Sequence, residues 1–311
     1  MKILITGVHG FVGSNLVEAL KGQHTIYGLD IISPAKDGVR FTFSWDYLDK
    51  PGEIPEVDAI IHLAGKAHDT KNQSEAKVYF NVNTGLTEKI FDWFLRHPKC
   101  RKFVFFSTVK AVADKVDGVL TEAVEPAPVG PYGESKIAAE KYIQEHMPAD
   151  KQVYILRPCM IHGPGNKGNL NLLYNFVRDG VPWPLGAFEN RRTFTSVENI
   201  CFAVKGVLTK DVPSGIYNMG DDEALSTNEL IEEICKSLGR KAYIWKLPKG
   251  LMNSVAKIGG WLHLPLNPER LRKLTENYIS SNEKIKKALG VEKMPIDART
   301  GLQTTLKSFK V

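Results

Sequence analysis

Lys2-Ile-Leu-Ile-Thr-Gly7-Val-His-Gly10-Phe-Val-Gly13 is the stretch from which the fold of this chain is read. Its apolar opening is a strand candidate, and its glycines at 7, 10 and 13 form a tight turn. Val12 to Lys21 then carries apolar residues at spacings of three and four, as an amphipathic helix does. Each glycine has its own use. Gly7 permits the turn, Gly10 lets the backbone approach a diphosphate, and Gly13 lets helix and strand pack closely, so that the helix N-terminus faces an anion. A glycine triplet alone is common at structural corners; the strand before it and the helix after it supply the context a phosphate-binding turn requires.

The same alternation recurs along the chain. Strand candidates are Lys2 to Thr6, Thr25 to Asp30, Val57 to Leu63, Lys102 to Ser107 and Val153 to Arg157. Between them Ser74 to Arg96 and Ser135 to His146 have helical periodicity. This is an α/β pattern, a doubly wound parallel sheet covered on both faces, the Rossmann fold. Residues 1–165 are expected to form the nucleotide-binding part. From Gly163 the texture changes to loops rich in Gly, Pro and Asn, with helices at Leu170 to Arg178, Thr227 to Leu238 and Glu269 to Glu276. Residues 166–311 are therefore expected to build mainly a smaller substrate-binding lobe, with Gly215 to Met219 either part of it or a return to the sheet. Asp30 closes the second strand, 17 residues after Gly13, where a carboxylate can accept both adenosine ribose hydroxyls and would repel the extra phosphate of NADP. NAD is favoured over NADP; the plainer reading of Asp30 is an acid that opens a turn or caps a helix.

Composition excludes several classes. With 311 residues, 43% hydrophobic and 24% charged, the chain is long enough for a sizeable core. Its 41 Lys+Arg against 35 Asp+Glu include no dense basic run with interleaved aromatics, so no nucleic-acid partner is expected. Cys100, Cys159, Cys201 and Cys235 lie far apart, without a CxxC pair or a His at metal-ligand spacing, and read as reduced, structural thiols of a cytoplasmic protein that holds no metal. No cleavable leader and no 18-residue apolar span is seen, so no membrane partner is expected. Gly250 to Leu266, the most apolar late segment, is interrupted by Asn253, Lys257 and His263 and reads as a core or substrate-domain helix rather than a membrane-surface one. Lys284 to Lys287 reads as a solvated helix face.

Tyr132-Gly-Glu-Ser-Lys136 sets a phenol and an ammonium four residues apart at a helix start, on one helical face. Ionising half of a free tyrosine at pH 7 takes roughly 4 kcal/mol of differential stabilisation. A neighbouring cation supplies part of this, and the positive ring of an oxidised nicotinamide would supply the rest, so the base should be strongest in the oxidised holoenzyme. An isolated pair of this spacing is more often a surface pair; its weight comes from lying downstream of the glycine turn. Thr108, past the apolar run Phe103-Val-Phe-Phe, stands at a strand's C-terminal edge, where its hydroxyl would relay a proton or hold the reacting oxygen. The plainer reading is a threonine that caps the next turn.

Thr6-Gly-Val-His-Gly-Phe-Val-Gly13, Asp30, His62-Leu-Ala-Gly65, Asn83, Ser107-Thr108, Tyr132-Gly-Glu-Ser-Lys136 and Arg157-Pro158 together resemble the extended short-chain dehydrogenase/reductase family, and within it the NAD-dependent epimerase/dehydratase branch. The likeness is tight to about residue 165 and looser beyond. It implies that Gly7, His9, Gly10, Phe11, Val12 and Gly13 wrap the pyrophosphate, Asp30 the ribose, and Leu63, Ala64, Gly65 and Lys66 the rest of the dinucleotide. It further implies Asp46 as the adenine-side acid, Asn83 as a helix residue supporting the site, Ser107 as a cofactor contact and Lys136 as a contact to the nicotinamide ribose. The substrate implied is a nucleotide-diphosphate sugar. Asn169 and Leu170, in Gly168-Asn169-Leu170, resemble the family's substrate-phosphate turn; Arg192 resembles its diphosphate arginine, and Arg270 a second phosphate arm. A homodimer built from the helices Ser74 to Arg96 and Ser135 to His146 is likewise implied.

Departures from the family pattern bear on the reaction. Dehydratases of this kind carry Thr-Asp-Glu after the fifth strand, the two acids driving loss of water; here the run is Thr108-Val109-Lys110, which resembles a subgroup of 4-epimerases and 4-ketoreductases. Met160 stands where the family has an asparagine near the nicotinamide, and His162 where it has a tyrosine, the histidine reading as a packed loop residue. The leading expectation is 4-epimerisation through a transient 4-keto sugar. A 4-ketoreductase using NAD(P)H is the alternative within the family. A non-catalytic NAD-binding sensor or scaffold is the alternative outside it, and a Rossmann enzyme of another substrate, such as a flavonoid or steroid, is a further one.

Overall fold

The computed structural model describes residues 1–67, 75–166, 168–262 and 266–309. In chain order it runs β1 (Lys2–Thr6), α1 (Phe11–Leu20), β2 (Thr25–Leu29), β3 (Val39–Phe43), β4 (Ala59–His62), α2 (Ala76–Tyr79), α3 (Leu86–Arg96), β5 (Lys102–Phe106), β6 (Val119–Leu120), α4 (Pro131–Glu145) and β7 (Gln152–Pro158). It continues through β8 (Met160–His162), α5 (Asn169–Arg178), β9 (Phe194–Ser196), α6 (Val197–Thr209), β10 (Gly215–Met219) and α7 (Thr227–Ser237). The last elements are α8 (Lys249–Trp261), α9 (Pro268–Thr275), β11 (Ile279–Ser280), α10 (Glu283–Leu289) and α11 (Ala298–Ser308).

Seven strands form one parallel sheet in the order β10-β7-β5-β4-β1-β2-β3. Strands β1, β4 and β5 are buried on both faces, which is why they read as continuous apolar runs. The order reverses direction between β1 and β4, and a parallel sheet binds ligands in the crevice outside the strand ends at such a switch point. On one face α1 and α6 bring Leu16, Val17, Leu20, Val204 and Val207 against Ile3, Ile5 and Val104. On the other α3 and α4 bring Ile90, Phe94 and Ile143 against Leu4, Ile60 and Phe103. A third core joins α5, α7, α8 and α11 through Leu170, Ile234, Met252 and Leu302. Two short parallel pairs, β6 with β11 and β8 with β9, tie the late chain to the loops above the sheet.

Gly215–Met219 does return to the sheet, as the outer partner of β7. Several expectations are corrected. Ser74 lies outside the described residues, and the helix expected to run on to Arg96 is broken by a π-helical turn, Phe80–Gly85, between α2 and α3. The extra residue of that turn accompanies a fully buried Asn83, whose backbone carbonyl accepts the Thr87 hydroxyl at 2.6 Å. Helix α4 starts at Pro131 rather than Ser135, because proline fits the first helical position and Gly130, at φ 85°, turns the chain into it. Lys286 is buried rather than solvated, paired with Asp222 at 3.1 Å and Glu283 at 2.7 Å. The late apolar helix ends at Trp261, and only Met252, Ala256 and Gly259 are buried along it.

Candidate active site

The turn after β1 is held by its own backbone. The Gly7 N–H donates to the Leu29 carbonyl at 2.9 Å and the Gly10 N–H to the Gly7 carbonyl at 3.0 Å. Gly7 has φ +67°, and a Cβ there would lie 3.0 Å from the Ala64 nitrogen. A Cβ on Gly13 would lie 2.4 Å from the Gly7 carbonyl oxygen, so α1 sits as near the turn as glycine allows. Helix α1 has no side-chain cap and no acid in its first turn, so its leading amides are left for an anion. Asp30 faces this end: its carboxylate accepts the His9 N–H at 3.0 Å and the Ile31 N–H at 2.8 Å. The Phe11 ring lies beside Gly163, and Asn15 Nδ2 holds the Pro164 carbonyl at 3.0 Å, so the 163–165 loop borders the turn. Uncapped amides, a cradle without side chains and a fixed acid at the end of β2 fit a dinucleotide. Gly13→Ala is expected to push α1 off the turn and cut NAD retention at least tenfold, read as nucleotide absorbance of the purified protein.

After β4, the Leu63 and Ala64 amides donate to Thr6 Oγ1 at 3.1 and 3.0 Å, and the Lys66 amide donates to Asn83 Oδ1 at 2.7 Å. Gly65 is pressed against two groups of the site: a Cβ there would lie 2.9 Å from Asn83 Oδ1 and 3.1 Å from Lys136 Nζ. Asp46 stands apart, exposed on the short 3-10 turn Trp45–Asp49 after β3. There the Lys50 ammonium at 2.8 Å and the Ser44 hydroxyl hold its carboxyl down to about 2.

Tyr132 lies in the first turn of α4, half-buried, with the Thr108 side chain near enough to its phenol to favour the anion. Thr108 also accepts the Lys110 N–H at 3.3 Å, so it caps the next turn as well as meeting the phenol. One helical turn beyond Tyr132, Lys136 is buried, and its Nζ donates to the Phe106 carbonyl at 2.9 Å. Burial pushes the Lys136 ammonium down to about 8, with Glu140 pulling it back up. Burial pushes the Tyr132 phenol above its ordinary value, while the nearby Thr108 side chain acts the other way. In the cofactor-free chain the phenol thus keeps its proton, and an added positive charge beside it is what the anion requires.

The Lys136 shift has a stability consequence. The unfolded lysine holds its proton to 10.5 and the folded one releases it near 8, so between these values the unfolded chain binds more protons and stability rises with pH. Lys136→Met removes this titration. It should therefore exceed the native chain in stability at pH 7.5 by more than at pH 9.5, in urea unfolding of the NAD-free protein.

On the substrate side, Asn169 is exposed at the start of α5, while the Leu170 side chain is buried in the third core, leaving only its backbone near the turn. Arg192 is half-buried, with its guanidinium donating to the Lys273 carbonyl at the end of α9 and its backbone bonded to Leu225. Arg270 is exposed in the first turn of α9. Lys110 turns away to the Asp114 carboxylate at 2.9 Å and lies 5.0 Å over the Tyr278 ring. Tyr278 donates its hydroxyl to the Ala113 carbonyl at 2.8 Å, which pins the loop that carries Thr108. His162 is a packed residue, bonded to Thr305 Oγ1 at 2.9 Å and 3.5 Å from Asp221. All four cysteines are free, and no group of metal-ligating side chains occurs among the described residues.

The sequence profile of the NAD dependent epimerase/dehydratase family matches residues 3–220. The chain belongs to that family. NAD is its cofactor and enzymes are its kin. It is 28% identical over 260 residues to a UDP-glucose 4-epimerase of Vibrio cholerae, covering 79% of this chain and 78% of that one. It is 27% identical over 295 residues to an N-acetyl-α-D-glucosaminyl-diphospho-ditrans,octacis-undecaprenol 4-epimerase of Escherichia coli O157:H7, covering 92% of this chain and 84% of that one. The solved UDP-glucuronic acid 4-epimerase of Bacillus cereus in complex with NAD shares the fold, with TM-score 0.74 and 20% identity over 100% of this chain and 99% of that one.

Further residues of this family member's site went unassigned in the sequence. Glu140, one turn beyond Lys136, accepts the Ser107 hydroxyl and the Arg157 guanidinium, at 3.0 and 3.1 Å from Nε and 2.5 Å from Nη2. Ser107 thus holds Glu140. The repeat 132, 136, 140 was the available signal, since all three share a helical face. Ser135 accepts Asn83 Nδ2 at 2.9 Å and donates to the Tyr132 carbonyl at 3.0 Å, linking the π turn to α4. The Tyr79 ring meets Tyr132 edge to face at 6.3 Å, and Lys66 Nζ lies 5.6 Å over Tyr79; no spacing rule would have found this contact.

Proposed function

We propose that the chain is a nucleotide-sugar 4-epimerase that keeps NAD bound through both half-reactions. The observation that carries this is Tyr132 next to the Thr108 side chain and one helical turn from buried Lys136, followed by Val109 and Lys110 where a dehydratase has its two acids. Bound NAD would supply the hydride acceptor and donor for this chemistry. Gly7, His9, Gly10, Phe11, Val12 and Gly13 hold its pyrophosphate, Asp30 and Asp46 its adenosine end, and Leu63, Ala64, Gly65, Lys66, Asn83, Ser107 and Lys136 border the remainder. Tyr132 takes the proton of the sugar's 4-hydroxyl, Thr108 orients that hydroxyl, and Lys136 favours the phenolate. Arg192, the Asn169–Leu170 turn and Arg270 hold the diphosphate while the flat 4-keto sugar turns over, and Tyr132 then returns the proton on the other face. Fixing the reacting carbon in place accounts for several kcal/mol of the barrier, on the order of 7 or more for well-oriented groups.

In this reading residues 1–165 chiefly bind NAD and residues 166–311 chiefly bind substrate, in a cytoplasmic homodimer joined through the α2–α3 and α4 helices. Exposed Val78 and Phe80 on that surface support the contact. The test is product analysis on a panel of UDP- and dTDP-sugars. Formation of the C4 epimer with no cofactor added is expected. Obligatory consumption of NADH on 4-keto sugars would make the enzyme a 4-ketoreductase instead, and ligand binding without turnover would make it a sensor.

A further inference from the structure

Helix α8 is seated by one edge only. Met252, Ala256 and Gly259 face the lobe, whereas Leu251, Val255, Ile258 and Leu262 recur at spacings of four, three and four along the adjoining face and are exposed. Ile258 is 56% exposed and Trp261, beside the stripe, is 80% exposed. On the segment that leads into α8, Tyr243 and Trp245 are exposed while Ile244 between them packs on the third core. Single apolar residues on a surface require no explanation; a continuous stripe flanked by three exposed aromatic rings does.

The charge pattern names the occupant. Residues 240–273 hold eight of the chain's 41 Lys+Arg and one of its 35 acids, Glu269, which leaves 33 basic against 34 acidic residues elsewhere. The positive excess of the protein therefore lies in the sequence segment that carries this helix, and Lys241, Lys246 and Lys257 among those cations are exposed. An apolar stripe, Trp and Tyr at its border and a cationic surround match the layered chemistry of a bilayer surface: acyl chains, interface and anionic headgroups. At 13 residues α8 is too short to span, and no helix among the described residues is long and apolar enough to cross a membrane.

We propose that α8 docks this enzyme on anionic lipid bilayers, lying in the headgroup plane with Leu251, Val255, Ile258 and Leu262 inserted and the lysines against lipid phosphates. The proposal is independent of which sugar reaction the enzyme runs. The test is co-sedimentation of the full chain, with its NAD, on vesicles of phosphatidylglycerol and phosphatidylethanolamine. The protein should pellet with these vesicles, stay in solution with phosphatidylcholine alone, and shift its tryptophan emission to shorter wavelength on binding. Lys246→Ala and Lys257→Ala should each weaken binding about fivefold, and raised salt should weaken it further. Ile258→Glu should abolish it with unchanged Tm and NAD content; Trp261→Ala serves if that variant misfolds. Wild-type protein that ignores anionic vesicles, or Ile258→Glu and Trp261→Ala variants that bind like wild type, would overturn the proposal. So would halving of the solution mass by Ile258→Glu in a protein that binds no vesicles, which would make the stripe a contact between copies.

Discussion

Tyr132→Phe is expected to lower turnover by roughly a hundredfold to ten-thousandfold, the range a positioned general acid–base supplies, with little change in bound NAD or Tm. The substitution removes one oxygen. The ring keeps its edge-to-face contact with Tyr79, and Thr108 keeps its role as cap of the following turn. Because the helix, the glycine turn and the Lys136–Phe106 bond are untouched, the loss should fall on kcat rather than on ligand affinity. Thr108→Val should lose less, about tenfold, since the phenol would remain to accept the proton. Steady-state rates on the accepted sugar, set against thermal shift by its nucleotide, decide the matter: full turnover in Tyr132→Phe would exclude the phenol as the base.

Arg157→Ala should be the most destabilising single change in the sheet. Arg157 is 2% exposed and Glu140 is fully buried, and the guanidinium is bonded to both carboxylate oxygens. Removing the arginine leaves a carboxylate in the core with the Ser107 hydroxyl as its remaining donor among the described residues, a loss on the order of 3–5 kcal/mol. For a chain of this size that is a fall in Tm of about 5–8 °C. The double change Arg157→Met with Glu140→Gln should be milder, because it removes the stranded charge along with its partner. Calorimetry on both proteins separates the cases; equal Tm for the native and Arg157→Ala chains would mean the pair is energetically idle. The single variant should also lose activity beyond its stability loss if Ser107 and Glu140 shift with respect to Lys136.

The parts of this fold written in local patterns were legible. Buried parallel strands such as Phe103-Val-Phe-Phe and the glycine turn impose their own geometry within a dozen residues, and Tyr132, Lys136 and Asp30 lie where strand ends and helix faces put them. Contacts across the chain were not legible. Tyr278 reaches Ala113 over 165 residues and His162 reaches Thr305 over 143, and neither leaves a periodic trace. The π turn at Phe80–Gly85 was hidden for another reason: one extra residue barely disturbs an apolar period that resumes immediately in α3. Strand β3 escaped because it lies at the sheet's edge, with Arg40 and Phe41 exposed, so its apolar content is too thin to stand out from a loop. The core role of the Leu170 side chain was equally hidden, because the sequence marks that position by its phosphate-turn pattern alone.

The sheet face of Ile3, Ile5, Val104 and Tyr154 is closed not by early residues alone but by Val204, Val207, Ile285, Leu289 and Met294. On a ribosome, the strands of the glycine-turn half are therefore complete long before their cover emerges, a delay on the order of ten seconds at about 5–20 residues per second. A nascent chain in that interval displays an uncovered apolar sheet and depends on chaperones to stay soluble. Cutting the gene at residue 165 to obtain a minimal dinucleotide module would make that transient state permanent and yield inclusion bodies instead of a small NAD-binding protein.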